Sequence, residues 1–174
     1  MATEFKTGLN AYLAERAQVG GIATLTELID FNRDHAETVM PWFLQELAER
    51  AEATEGLDSE AYLEALEFCR SQSRDKGIDD LTQTHGLEAI IAPTTCTPWL
   101  IDWINGDNRS GGSAAPAAIA GYPNVTVPMG YVHGLPVGLS LFSTAWKEGV
   151  LLSIAAGFET VRRCRVSPDL QVQK

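Results

Sequence analysis

No run of the 174 residues approaches the roughly 20 consecutive apolar positions needed to span a bilayer. A membrane-spanning segment is therefore not expected. The opening, MATEFKTGLN, has neither the apolar core of a secretory leader nor the Arg-rich pattern of a transit segment, so a cytoplasmic location is expected. Cysteine is scarce. Cys69, Cys96 and Cys164 stand far apart, and no Cys-x-x-Cys or Cys/His pair has metal spacing. An odd, dispersed set suits small reduced side chains rather than a disulfide framework. No metal and no cofactor is implied. Positive charge is thin in the first half: residues 1–88 hold 18 acidic and 7 basic side chains, against 5 and 6 in residues 89–174. The acidic half repels phosphate backbones, which argues against a nucleic acid as direct partner.

What is present is ordinary for a globular chain. Hydrophobic residues make up 45% and charged residues 21%, enough for a single domain or partial domain with a sizeable core. No internal repeat, low-complexity tract or clear linker interrupts it. Residues 1–88 read as mainly helical. Phe5, Leu9, Tyr12 and Leu13 recur at the spacing of one helix face, and Gly20-Gly21 stops that helix. Thr24 with Glu27 predicts a capping box, followed by a stripe of Leu25, Leu28, Ile29 and Phe31. Pro41 ends or interrupts the next segment. Asp58 opens a further helix, with Tyr62, Leu63 and Leu66 inward and Glu60, Glu64, Glu67 and Arg70 in water. That helix ends at Gly77 or extends to about His85.

The period changes after Glu88. Residues 89–92, Ala-Ile-Ile-Ala, predict a short buried strand closed by Pro93. Residues 93–112 predict a long loop, a length that usually marks function. Ser113 is expected to cap a helix over residues 114–120, with Pro116 in its first turn and Gly121 at its end. Residues 124–129 and 135–142 predict an antiparallel hairpin joined by Tyr-Val-His-Gly, with Leu135, Val137, Leu139 and Leu141 on one face. A last helix runs from Glu148 to about Arg163. Val150, Leu151, Ile154, Ala155 and Phe158 point inward, and Arg162 and Arg163 suit its negative end. Residues 89–163 thus read as strand, loop, helix, hairpin and helix, and residues 164–174 as a frayed tail.

Residues able to carry hydrolysis do not stand out. Ser73 and Lys76 form a Ser-x-x-Lys match, but in a polar helical stretch without companion motifs, which reads as a solvated face. Gly111-Gly112-Ser113 has neither a P-loop lysine nor G-x-S-x-G spacing, and capping explains it. His35, His85 and His133 are scattered and read as surface residues. The segment 98–108, PWLIDWINGDN, sets Trp99 and Trp103 beside Asp102, Asn105, Asp107 and Asn108. Indoles with nearby carboxylates and amides line small-molecule clefts; they also anchor loops to a core.

From Ser113 on, the string SAAPAAIAGYPNVTVPMGYVHGLPVGLSLF resembles the amidase signature family. It holds a small-residue helix, an Ala-Gly-Tyr-Pro turn at 120–123, a strand Asn-Val-Thr-Val-Pro at 124–128, and Gly-Leu-Pro-Val-Gly-Leu at 134–139, in that order. Ile91-Ala92-Pro93-Thr94-Thr95 resembles the strand and loop upstream. Glu4-Phe5-Lys6 with residues 8–13 is similar to a helix of the peptide-amidase-like branch. An aminoacyl-tRNA amidotransferase A-subunit-like branch fits as well. The resemblance runs from about residue 4 to about residue 160.

That resemblance implies an α/β fold, helices packed on part of a mixed β-sheet, matching the C-terminal portion of the family. It implies hydrolysis or transfer of carboxamide groups through a Ser–cis-Ser–Lys triad and an acyl-enzyme, with backbone N–H groups on the oxyanion. The triad and its Gly-Gly-Ser-Ser-Gly-Gly signature lie in the family's N-terminal half, and no segment here matches them. No catalytic residue is therefore assigned, and inactivity alone is expected. Thr94, Trp99, Asp102, Trp103, Asn105 and Asp107 are the candidate substrate-binding residues, for a small amide. Implied partners are a missing N-terminal amidase portion or a second copy of the chain, with no membrane. The alternative is a self-standing, non-catalytic domain that binds a partner chain or a small amide.

Overall fold

The leading stripe of Leu9 and Leu13 does form a helix, α1, Ala2–Gly20. Gly21 ends it in the left-handed conformation at φ 72°, its N–H on the Ala17 carbonyl. The structure, a computed structural model, describes residues 1–168. These divide into two compact units, Met1–Glu67 and Phe68 onward.

In the first unit the shared face of α1 stays near the surface. None of its residues is buried, and Phe5 and Tyr12 are each half exposed. Helix spacing sets which residues share a face, while burial depends on what lies opposite. Helix α2, Leu25–Asp34, starts at Thr24, whose Oγ1 accepts the Glu27 amide at 3.2 Å. The Glu27 carboxylate reaches back to the Ala23 amide at 2.6 Å, one residue before the cap. Leu25 and Ile29 are buried, but Phe31 is exposed and stacks on the His35 ring at 4.2 Å. Two short helices come next, α3, Ala36–Val39, and α4, Glu46–Glu52. The core of this unit is Leu25, Ile29 and Ala51, with Leu9 and Ala48 against it. Lys6 clasps the end of α4, donating to the carbonyls of Glu52 at 2.6 Å and Thr54 at 3.1 Å. A cation at a helix C-terminus is favourably placed. Helix α5, Glu60–Ser73, contains the division between the units; Leu63 is exposed, and Tyr62 and Leu66 are only half buried.

Both readings of Gly77 hold in part. Helical hydrogen bonding runs on to His85, through a π turn, Arg74–Ile78, and then α6, Asp79–His85, but Gly77 within the turn has a non-helical φ of −119° and ψ of −106° and kinks the chain there. The turn places Ile78 in a core with Ala117, Ala120 and Phe142. It also aims Arg74 Nε at the Ala120 carbonyl, 2.7 Å away.

Strand β1, Ile90–Pro93, helix α7, Ala114–Ala120, strands β2, Asn124–Val132, and β3, Leu135–Phe142, and helix α8, Glu148–Val161, complete the second unit. The sheet order is β1-β3-β2, with both neighbours antiparallel to β3. Helices on part of a sheet is the expected class; parallel pairings of a mixed sheet are not among the described residues. The turn is tighter than expected. Tyr131 and Val132 belong to β2 and pair with Pro136 and Leu135. His133 and Gly134 alone make the connection, at φ 50° and 79°, the signs of a type I′ hairpin. Met129 is bulged out between Pro128 and Gly130, consistent with the proline's missing donor.

Both faces of β3 are covered at its end. Leu139 and Leu141 pack with Val127 against Leu151 and Ala155 of α8. Phe142 packs on the other side with α7. Ile154, expected inside, is exposed, as is Leu135 at the start of β3. Ile91 is 62% exposed on the edge strand β1. The expected frayed tail is in part held down: Cys164 Sγ donates to the Met129 carbonyl, and Val166 N–H to the Tyr131 hydroxyl at 3.1 Å. Residues 169–174 of that tail lie outside the described residues.

Candidate functional site

The long loop begins and ends at one residue. Thr94 follows β1, and its N–H donates to the Gly138 carbonyl of β3 at 2.8 Å. Its own carbonyl accepts the Ser113 amide at 3.1 Å, which closes the loop at the start of α7. The Thr94 hydroxyl accepts from Ser140 Oγ at 2.9 Å, and Ser140 Oγ lies 3.2 Å from Thr126 Oγ1. Thr126 and Ser140 are cross-strand partners, so β2, β3 and the end of β1 each contribute one hydroxyl. Gly138 allows this approach: a Cβ there would stand 2.7 Å from Thr94 Oγ1 and 2.9 Å from Thr126 Cγ2. Thr95 adds a bond from its hydroxyl to the Gly111 carbonyl at 2.9 Å.

Sequence reasoning does not single out Ser140 and Gly138. A polar residue and a glycine inside an apolar strand were the available signals. Ser113 takes the expected position before α7, but its hydroxyl caps nothing; the oxygen is buried without a hydrogen-bond partner. Its φ of −104° and ψ of 4° are not the extended backbone of a side-chain cap.

The hydroxyl trio is expected to hold the loop's base. Thr94→Val keeps the shape but removes the shorter of the two hydroxyl contacts of Ser140, 1% exposed, leaving only the 3.2 Å contact with Thr126, at a cost of about 1 kcal/mol. Urea unfolding of the full chain should show that loss, with Thr94→Ser close to wild type. Equal stability of the Val and Ser variants would mean the trio contributes nothing.

Above this base the loop folds around an open cleft of about 700 Å³. Trp99, Asp102, Asn105 and Asp107 line it, together with Cys96 and Ser110. Thr94 and Trp103 do not. Trp99 Nε1 donates to Asp107 Oδ1 at 3.0 Å, which fixes the indole's orientation while leaving it 36% exposed. Asp102 is engaged by its own turn. Oδ1 accepts the amides of Ile104 and Asn105, each at 2.9 Å, and Oδ2 accepts Asn105 Nδ2 at 2.8 Å. The Asn105 backbone amide, then its side chain, then the Ile104 amide hold the Asp102 carboxyl below the usual carboxylate range. The Cys96 thiol is likewise held below the ordinary thiol range, chiefly by the Ser110 backbone, with burial opposing and the Ser110 and Thr95 hydroxyls assisting.

The other sequence candidates do not join this site. Ser73 ends α5 and Lys76 lies exposed in the π turn. His35, His85 and His133 are all exposed; His35 Nδ1 lies 2.8 Å from the Phe31 carbonyl.

No family model matches the chain. Curated relatives do. A probable amidase from Arabidopsis thaliana is 33% identical over 97% of this chain and 30% of its own length. The A-subunit of a glutamyl-tRNA(Gln) amidotransferase from Clostridium kluyveri is 34% identical over 68% of this chain and 24% of its own length. Among solved structures, the native peptide amidase from Stenotrophomonas maltophilia superposes with a TM-score of 0.86 at 38% identity. That superposition covers 98% of this chain and 34% of the peptide amidase. The chain therefore spans about a third of the length of the proteins it matches.

Proposed function

The chain belongs to the amidase signature family, whose C-terminal portion it matches, and on that premise we propose that it supplies that portion of a hydrolase cleaving carboxamide C–N bonds. The observation that carries the reading is the superposition on nearly all of this chain but only 34% of a peptide amidase. The family's Ser–cis-Ser–Lys triad belongs to the N-terminal half and matches no segment here. The chain's own task is then binding and positioning: it forms one wall of the amide cleft and makes no acyl-enzyme by itself.

Within that wall the roles divide by geometry. Trp99 presents a partly exposed indole face to the substrate, and Asp107 orients it through the 3.0 Å bond. Asp102 and Asn105 shape the turn that carries Asp107 into the cleft. Thr94 anchors the loop's base, while Trp103 lies outside the cleft's lining. A small amide or the C-terminal amide of a peptide suits a cleft with few charges and one aromatic wall.

The test is a chimera in which this chain replaces the matched third of the Stenotrophomonas maltophilia peptide amidase. It is expected to release ammonia from a peptide amide. Trp99→Ala in the chimera should raise KM several-fold with kcat little changed, the pattern of lost uniform binding. A folded but inactive chimera would refute the hydrolase reading. An active one indifferent to Trp99→Ala would remove the loop from the substrate's path.

A further inference from the structure

Residues 40–47 read Met-Pro-Trp-Phe-Leu-Gln-Glu-Leu, and most of their apolar surface lies in solvent. Trp42, Phe43, Leu44 and Leu47 are 71%, 69%, 76% and 73% exposed. Single exposed apolar residues need no explanation, but four within six positions form the kind of patch that marks an interaction site. The backbone beneath them is tied down. Gln45 Nε2 donates to the Ile29 carbonyl at 3.0 Å, and its Oε1 accepts from Asn32 at 3.1 Å. The Gln45 carbonyl accepts the amides of Ala48 and Glu49 as α4 begins. Ile29 itself is core, so the patch is mounted on the best-packed part of its unit. Arg33, Glu46 and Glu49 border the recess beside Leu44. An apolar centre with a charged rim is the anatomy of an interface, and a fixed backbone lowers the entropy cost of docking.

We propose that this knuckle, residues 42–47, is where the N-terminal portion of an amidase-signature chain docks. The proposal rests on the functional reading above. The chain keeps its fold over 98% of its length within a peptide amidase of which it covers 34%. The remaining two-thirds of that protein has to lie against some of its faces, and a rigid apolar face gains most from being covered. A second copy is the poorer occupant. It would bring Glu46 and Glu49 against their own kind, within a half carrying 18 acidic and 7 basic side chains.

The experiment places Leu44→Glu, Leu47→Glu and the milder Leu44→Ala in two settings, the isolated full chain and the chimera described above. In the isolated chain these positions are exposed, and the melting temperature should not move. In the chimera each Glu variant should lower the melting temperature and shorten the thermal-inactivation half-life about tenfold or more, with Leu44→Ala between. Equal effects in both settings would overturn the docking site while leaving the hydrolase reading intact, provided the parent chimera is active. A parent chimera that does not fold would overturn both. Self-association of the isolated chain, dispersed by Leu44→Glu, would assign the surface to a second copy and refute the proposed occupant.

Discussion

Replacing Gly77 by alanine is expected to destabilise the second unit by about 2–3 kcal/mol, a large effect for one added methyl group. A Cβ at this position would stand 2.6 Å from the Gln72 carbonyl oxygen. That oxygen is backbone inside α5, so it has no rotamer by which to step aside. Relief requires the π turn to relax, and the turn carries two dependents. Arg74 would lose its 2.7 Å bond to the Ala120 carbonyl, where it also lies over the Tyr122 ring at 5.5 Å. Ile78, 2% exposed, would shift within its core against Phe142. Tyr122 would be released next, since its hydroxyl is bonded to Asp79 at 2.9 Å, at the start of α6. Urea unfolding followed by circular dichroism measures the effect. An unchanged midpoint would show that the turn has no steric need of glycine.

How far the fold was legible depends on where its information lies. The capping pair Thr24 and Glu27 is local, and the helix begins where they indicate. The glycine stops at Gly21 and Gly121 are local too, since each adopts positive φ. Burial was less legible. Phe5, Tyr12 and Leu63 occupy helical stripes yet are exposed, because a stripe gives only a direction and the opposing surface is another part of the chain or another chain. Helix α4 is hidden in the sequence. Its seven residues make barely two turns, and they come after Pro41 and three bulky apolar residues that obscure the periodicity. The first hairpin strand reads three residues short in the sequence because the strand continues to Val132, while His133 at positive φ is an uncommon turn choice.

The loop was legible as a unit and less so in its parts. Its composition marked Trp99, Asp102, Asn105 and Asp107 as neighbours, and all four line the cleft. Spacing did not reveal that Asp102 would be occupied by Ile104 and Asn105, or that Trp99 would pair with Asp107. The hydroxyl trio joins residues 94, 126 and 140 through sheet register. A separation of that size becomes visible only once the strands pair.

The largest expected effect is on catalysis. An amide is broken only when a nucleophile is activated beside an oxyanion site, and a Ser–Lys pair performs that task in this family. Here the exposed Lys76 beside Ser73 lies in a π turn, and Lys6 is spent on the carbonyls of Glu52 and Thr54. Ser113 Oγ is buried without a hydrogen-bond partner to activate it. Activity is thus expected to depend wholly on the family's N-terminal portion, and to be absent without it rather than merely reduced.

The most direct measurement is ammonia release from simple amides by the purified chain over a wide range of protein concentration, beside the chimera under the same conditions. The expected result is a rate equal to buffer for the chain at every concentration and steady turnover for the chimera. Steady turnover by the chain alone, abolished by Ser113→Ala, would contradict the account.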